Sequence, residues 1–157
     1  MIENKFIPIV TQIEQSVFVN YHAMFNSLFK SWFNMLIDDE GFEANIDPEF
    51  SPLITYKGYD MDYLNLSGGE KTAAALAYRL ALNQVINNMM SSVRTRDIII
   101  IDEPTDGFSS EQLDKMRDLF KLLNVKQMII VSHEQKVEMI ADNIIRIKKE
   151  NSISGLQ

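Results

Sequence analysis

Two adjacent carboxylates, Asp102 and Glu103, follow four consecutive isoleucines, Ile98 to Ile101. A β-branched run of that length favours a strand. In open α/β sheets, ligands bind beyond the C-terminal ends of the strands. There the first acid, Asp102, suits a hydrated Mg2+, which takes oxygen ligands. The second, Glu103, suits polarising an attacking water. Taken alone, such a pair is most often a solvated strand end, but Pro104-Thr105 directly afterwards argues against coincidence. A second group is Ser67-Gly68-Gly69-Glu70. A helix opening at this loop would present free backbone N–H groups and a positive dipole end to an anion. Ser67 could cap that helix and also donate to a phosphate oxygen; by itself the loop reads as an ordinary N-cap. The third is His133, after an apolar run and Ser132. It could donate to a terminal phosphate, though a lone histidine there is more often a structural hydrogen-bonder. His22 reads as a surface or packing residue.

The elements that would position these groups follow from periodicity. Residues 3–36 read as one amphipathic helix, with Val10, Ile13, Val17, Tyr21, Met24, Leu28, Trp32 and Met35 at steps of three and four. Pro8 fits only near its start or at a kink. Packing on its own domain and the end of a coiled coil are equal readings of this stripe. Asp38-Asp39-Glu40-Gly41 stops the helix. Phe42 to Ile46 and Leu53 to Tyr56 are short strands of a small antiparallel meander, with a further turn at Lys57-Gly58. Beyond residue 64 come a helix over about Glu70 to Met90, a strand at Asp97 to Ile101 and a helix at Ser110 to Leu123. A strand at Gln127 to Val131, a short helix at Glu134 to Ala141 and a strand at Asn143 to Lys148 follow, and Asn151 to Gln157 read as a frayed tail. The isoleucine run is the kind expected in a sheet buried on both faces. The alternation predicts an α/β fold with a mostly parallel sheet and flanking helices.

Composition narrows the classes. The 157 residues suffice for one domain-sized core. There is no cysteine, which removes disulfides, thiolate metal sites and cysteine nucleophiles. No apolar run reaches membrane-spanning length, and polar residues interrupt any N-terminal signal, so a protein without membrane contact is expected, cytoplasmic or, if bound to DNA, nuclear or nucleoid-associated. The net charge of −7 argues against an extensive nucleic-acid surface, though not against a local basic patch. Arg94, Arg96, Arg146, Lys148 and Lys149 are candidates for DNA contact, each more simply a solubilising side chain.

Order and spacing join the three groups. Leu66-Ser67-Gly68-Gly69-Glu70 is followed about thirty residues later by Ile98–Ile101 and Asp102-Glu103-Pro104-Thr105, and about thirty later again by Val131-Ser132-His133. This pattern, over residues 60–148, resembles the C-terminal lobe of the ABC ATPases, whose heads are P-loop-type α/β domains that bind ATP and Mg2+ as dimers. Glu70, the helix leading into a strand pair and Glu103-Pro104-Thr105 look most like the SMC-like branch that repairs DNA double-strand breaks. The resemblance implies that residues 1–36 form the base of a coiled coil and residues 37–157 the C-terminal lobe of the head. It implies that Ser67, Gly68, Gly69 and Glu70 form the signature loop, contacting the γ-phosphate held by an opposing subunit. Asp102 would hold Mg2+ through water, Glu103 would be the catalytic acid and His133 the switch histidine. Asp106, Gly107, Phe108 and Ser109 would form the D-loop, where the family usually ends in leucine-aspartate, so Ser109 puts coupling between the two sites in doubt. Lys71 and Arg79 would link nucleotide state to the coiled coil, with a solvated helix face as the even alternative.

A Walker A loop needs two glycines five apart followed by lysine and Ser or Thr. The glycines stand at 41, 58, 68, 69, 107 and 155, and no two have that spacing. The resemblance therefore implies the C-terminal half of a head, inactive until an N-terminal Walker A lobe completes it. It also implies a head-to-head dimer, a break-repair nuclease and DNA as partners. A chromosome-organising head, a non-catalytic regulatory lobe and, less in keeping with Glu70, a transporter ATPase fragment are the alternatives. Half a domain would expose a sheet edge and an apolar face, so the isolated chain is expected to aggregate or fold marginally.

Overall fold

A computed structural model describes residues 3–90, 97–123, 125–150 and 153–156. Its first element, α1 (Glu3–Leu36), is a 34-residue helix that keeps Pro8 within its second turn. The two halves of α1 differ. From Phe6 to Asn20 nearly every side chain is exposed, including Phe6, Ile13, Phe18 and Val19. From Phe25 onward, Phe25, Phe29, Trp32, Phe33 and Leu36 are buried in the core. Packing on its own domain thus accounts for the second part of the stripe, and the first part is left exposed. The deepest face is set by Phe25, Phe29, Phe33 and Leu36, while Tyr21, Met24, Leu28 and Met35 of the expected stripe pack at its margin.

The helix ends where Asp39 accepts the Gly41 N–H on its side chain at 2.8 Å. A three-stranded antiparallel meander follows: β1 (Phe42–Ile46), β2 (Pro52–Tyr56) and β3 (Tyr59–Asp60). Lys57 and Gly58, both at positive φ, make the two-residue turn into β3, the hairpin geometry whose twist matches that of the strands. His22 packs as expected. Its Nε2 lies 2.7 Å from the Asp47 carbonyl, and its ring meets Phe50 edge-on at 5.1 Å.

Helix α2 (Gly68–Met89) lies against α1. Its buried face is rich in small residues, with Ala73, Ala74, Ala77 and Ala81 beside Leu76, Leu80 and Val85. Small side chains on one helix accommodate large ones on the other, the complementarity that close packing requires. Here the large ones are the phenylalanines of α1. Tyr78 completes the contact, edge-on to Phe25 at 5.0 Å, with its hydroxyl donating to the Phe50 carbonyl at 3.0 Å.

Strands β4 (Ile98–Asp102) and β5 (Gln127–Val131) pair in parallel, with Asp102 opposite Val131, and α3 (Ser110–Leu123) connects them. The α/β architecture with a parallel sheet is therefore present, but the sheet has two strands among the described residues. The expectation that β4 is buried on both faces does not hold. Ile99 and Ile101 enter the core, while Ile98 and Ile100 are 49% and 68% exposed. Ile129 and Val131 continue that uncovered face on β5. Among the described residues the sheet is covered on one face.

The short helix expected at Glu134 to Ala141 is a 3₁₀ helix, Gln135–Ile140, with only Val137 of its side chains buried. Two other expectations near the C-terminus are corrected. The last strand begins later than expected, as β6 (Ile147–Glu150), and it does not join the parallel sheet. It pairs antiparallel with β7 (Ile153–Leu156), inside the segment expected to be a frayed tail. Ile144, Ile145 and Ile147 are all exposed. No helix among the described residues is long and apolar enough to cross a membrane.

Candidate functional site

The parallel register delivers Asp102 and Val131 side by side at the C-terminal ends of β4 and β5. Asp102 is exposed on the uncovered face, because alternation along β4 puts it on the same side as Ile98 and Ile100. At Glu103 the chain leaves the strand with φ at +46°, a left-handed conformation that non-glycine residues rarely take. The Glu103 N–H donates to the Val131 carbonyl at 2.9 Å, which ties this turn to β5. Both carboxylate oxygens are engaged from the β5 side. Oε1 faces Nδ1 of His133 at 2.9 Å, and Oε2 accepts from the Ser132 hydroxyl at 3.1 Å.

This clasp shifts both ionisations. The bond from the His133 ring holds the Glu103 carboxyl below the usual carboxylate range; partial desolvation opposes that and the Ser132 hydroxyl assists it. The same bond, with the attraction of the Glu103 charge, raises the imidazole of His133 above its ordinary value. A carboxylate and an imidazole that favour each other's charged forms are suited to holding or passing a proton. Asp102, Glu103 and His133 are thus brought together, as expected from the sequence. Ser132, which completes the clasp, was not among the candidates; a serine beside a histidine has no spacing signal of its own.

The Ser67 loop is a second centre. Ser67 is the N-cap of α2 in a full capping box. Its Oγ accepts the Glu70 N–H at 3.3 Å, and the Glu70 carboxylate accepts the Ser67 N–H at 2.8 Å. This arrangement satisfies two of the orphan donors of the helix start. Gly69 is buried where the Asp106–Ser109 turn comes close. A side chain there would put its Cβ 2.7 Å from Oε1 of Gln112 and 3.0 Å from the Gly107 carbonyl. Gly107 has φ +76° and reciprocates, since its own Cβ would lie 3.0 Å from the carbonyl carbon of Gly68. The Thr72 hydroxyl locks the contact by donating to the Asp106 carbonyl at 2.6 Å. No hydrogen bond among the described residues joins Ser67 to Glu103 or His133. The two centres meet through the Asp106–Gly107 turn rather than in one pocket. The end of α1, the Ser67 loop and this turn border an open groove of about 710 Å3.

The departure at Phe108-Ser109 has a structural explanation. Phe108 is buried and anchors the turn, its N–H donating to the Thr105 carbonyl at 2.9 Å. Ser109 caps α3: its hydroxyl accepts the Gln112 N–H at 3.2 Å, and Gln112 accepts the Ser109 N–H at 3.1 Å. Among the coupling candidates, Lys71 donates to the Leu64 carbonyl at 3.0 Å and lies over the Tyr63 ring. Arg79 sits on the exposed face of α2. Of the basic residues considered for DNA, Arg146 pairs with Glu138 at 2.7 Å. Lys148 and Lys149 are exposed on β6, and Arg94 and Arg96 lie outside the described residues.

No family model matches the chain. Among curated proteins it is 40% identical over 95 residues to the DNA double-strand break repair Rad50 ATPase of Methanocaldococcus jannaschii, covering 59% of this chain and 9% of that protein. It is 26% identical over 160 residues to the Rad50 ATPase of Methanococcus maripaludis, covering 99% of this chain and 13% of that protein. The chain thus spans only about a tenth of the length of these relatives. Among solved structures, the Smc head domain derived from Pyrococcus furiosus, with an extended coiled coil and bound to the C-terminal domain of ScpA, superposes with a TM-score of 0.73 at 21% identity. That match covers 98% of this chain and 39% of that one. A chain from work on ATP-driven dimerization of SMC ATPases matches with a TM-score of 0.68 at 19% identity, covering 90% of this chain and 87% of that one. At such identities the solved structures speak for the fold alone, which is that of SMC heads, and the curated proteins that the chain resembles are Rad50 ATPases.

Proposed function

We propose that this chain is the C-terminal half of an ATP-hydrolysing head that acts in DNA double-strand-break repair. The observation that carries the reading is the Glu103–His133 pair at the C-terminal ends of adjacent parallel strands, with Asp102 beside it on an uncovered apolar face. Glu103, held ionised by His133, orients and deprotonates the attacking water. His133 donates toward the terminal phosphate. The Ser67–Gly69 helix start offers backbone donors to an anion. It lies apart from Glu103, which suits service to a nucleotide held by an opposing subunit in a head-to-head dimer. Lys71 and Arg79 lie on the same helix and relay its movement to α1.

Among the described residues no cluster of three or more His, Cys, Asp or Glu gathers to hold a metal ion. Asp102 is the carboxylate this reading assigns to Mg2+. That fits an ion whose other ligands are water and phosphate oxygens; once bound, it supplies charge stabilisation for phosphoryl transfer. The lysine and glycine loop that cradle the phosphates must come from an N-terminal Walker A lobe, which would cover the outer face of β4 and β5. A nuclease and DNA are the partners this reading adds.

The test is ATP hydrolysis by the chain alone and together with a Walker A lobe. Activity only in the mixture is expected, and Glu103→Gln should slow it by about a hundredfold or more while ATP-driven head pairing persists. Undiminished turnover by Glu103→Gln would refute the role of Glu103. A stable but inactive complex would instead favour a regulatory lobe.

A further inference from the structure

A carboxylate held through one oxygen can still rotate about that bond, whereas one held through both cannot. The chain ties down both oxygens of Glu103, and the second tie is Ser132. Ser132 is itself fixed. While its hydroxyl donates to Oε2, its oxygen accepts the Glu134 N–H at 3.2 Å, and the residue is half-buried. Its hydrogen and a lone pair are therefore both committed, so it offers Glu103 a donor in one orientation. The backbone gives the same picture, since the left-handed turn at Glu103 is pinned to Val131, the neighbour of Ser132. Three consecutive residues, Val131, Ser132 and His133, thus grip Glu103 at its main chain and at each carboxylate oxygen.

We propose that Ser132 is a positioning residue for hydrolysis: its hydroxyl fixes the rotation of the Glu103 carboxylate, so that acid and imidazole meet the reacting water as a preset unit. The assignment rests on the role proposed above for Glu103. Ser132 needs only a hydroxyl donor at this position, so threonine should replace it and alanine should not.

The test uses the complete head, this chain together with a Walker A lobe, and reads steady-state hydrolysis, ATP-driven head pairing and thermal melting. Ser132→Ala should lower kcat by about tenfold, the cost of a mispositioned catalytic group, with KM, pairing and Tm unchanged. Ser132→Thr should restore kcat. In a Glu103→Gln background, Ser132→Ala should have no further effect, because a residue acting through Glu103 has nothing left to position. Loss of Tm and pairing together with kcat, or a further tenfold loss in the Glu103→Gln background, would overturn the assignment by showing a structural or independent role. Unchanged kcat in Ser132→Ala, while Glu103→Gln is slow, would overturn it and leave the proposed function standing. Wild-type turnover in Glu103→Gln would remove both.

Discussion

Glu103 combines an uncommon backbone angle with a fully engaged side chain, and backbone strain of this kind is sustained only when surrounding contacts over-determine it. Its pairing with His133 can be read directly by NMR. In Glu103→Gln the His133 midpoint should fall toward the usual imidazole value, because the carboxylate charge is gone and the amide oxygen offers only a neutral acceptor; an unmoved midpoint would show that the pair does not form in solution. The sign for stability follows from the two shifts. Glu103 is lowered, so its contribution is present above its unfolded value and fades as pH falls through the folded one; His133 is raised, so its contribution is present at low pH and fades as pH rises through its folded value. The pair therefore acts in the window between the lowered acid and the raised imidazole. Both groups are substantially exposed, so the effect belongs in a titration rather than in a melting curve. Asp102, Glu103 and His133 were legible in the sequence because residue type, order and the isoleucine strand coincide. Ser132 was not. The Ser109-x-x-Gln112 capping box is an explicit sequence signature. Ser109 lacks the charge the family usually places there but keeps a hydrogen-bonding hydroxyl, and helix capping is what occupies it.

At the scale of elements, the Ser67 loop and the Asp106–Ser109 turn are held together by missing side chains. Gly107→Ala would place a methyl 3.0 Å from the Gly68 carbonyl carbon and also force a positive φ, whereas Gly58→Ala forces a positive φ in open space. The first should cost about 3 kcal/mol in denaturant unfolding and the second about 1, strain and overpacking together against strain alone. Equal losses would show that the two loops are not in contact. Helices α1 to α3 and strands β1, β2, β4 and β5 were legible, since caps, turns and alternation agree locally with the fold; the two-residue β3 is too short to carry a pattern. The β6–β7 hairpin was not. Ile144, Ile145 and Ile147 have the composition of a buried strand, and nothing local distinguishes an isoleucine waiting for a cover from one that already has it. The same ambiguity produced the expectation that β4 is covered on both sides.

For the whole molecule, that uncovered face is the main liability. Ile98, Ile100, Ile129 and Val131 form an apolar surface across two paired strands, and an exposed patch of this kind favours association. The isolated chain should self-associate, and Ile100→Lys should shift it toward monomer with little loss of stability, since this side chain is 68% exposed; light scattering at matched concentrations would decide, and equal scattering would place the contact elsewhere. If a Walker A lobe covers this face as proposed, the same substitution should also weaken its binding. α1 carries a different consequence. It is one uninterrupted helix of 34 residues whose last third is clamped in the core by Phe25, Phe29, Phe33 and Leu36, and whose foot is tied to α3 by the Asp38–Lys115 ion pair. At 1.5 Å per residue it is about 50 Å long. It is therefore a lever with a short arm in the core and a long arm outside. The outer arm, from the clamp at Phe25 to Glu3, is about 33 Å, so a tilt of about 10° at the clamp would carry its far end through roughly 6 Å.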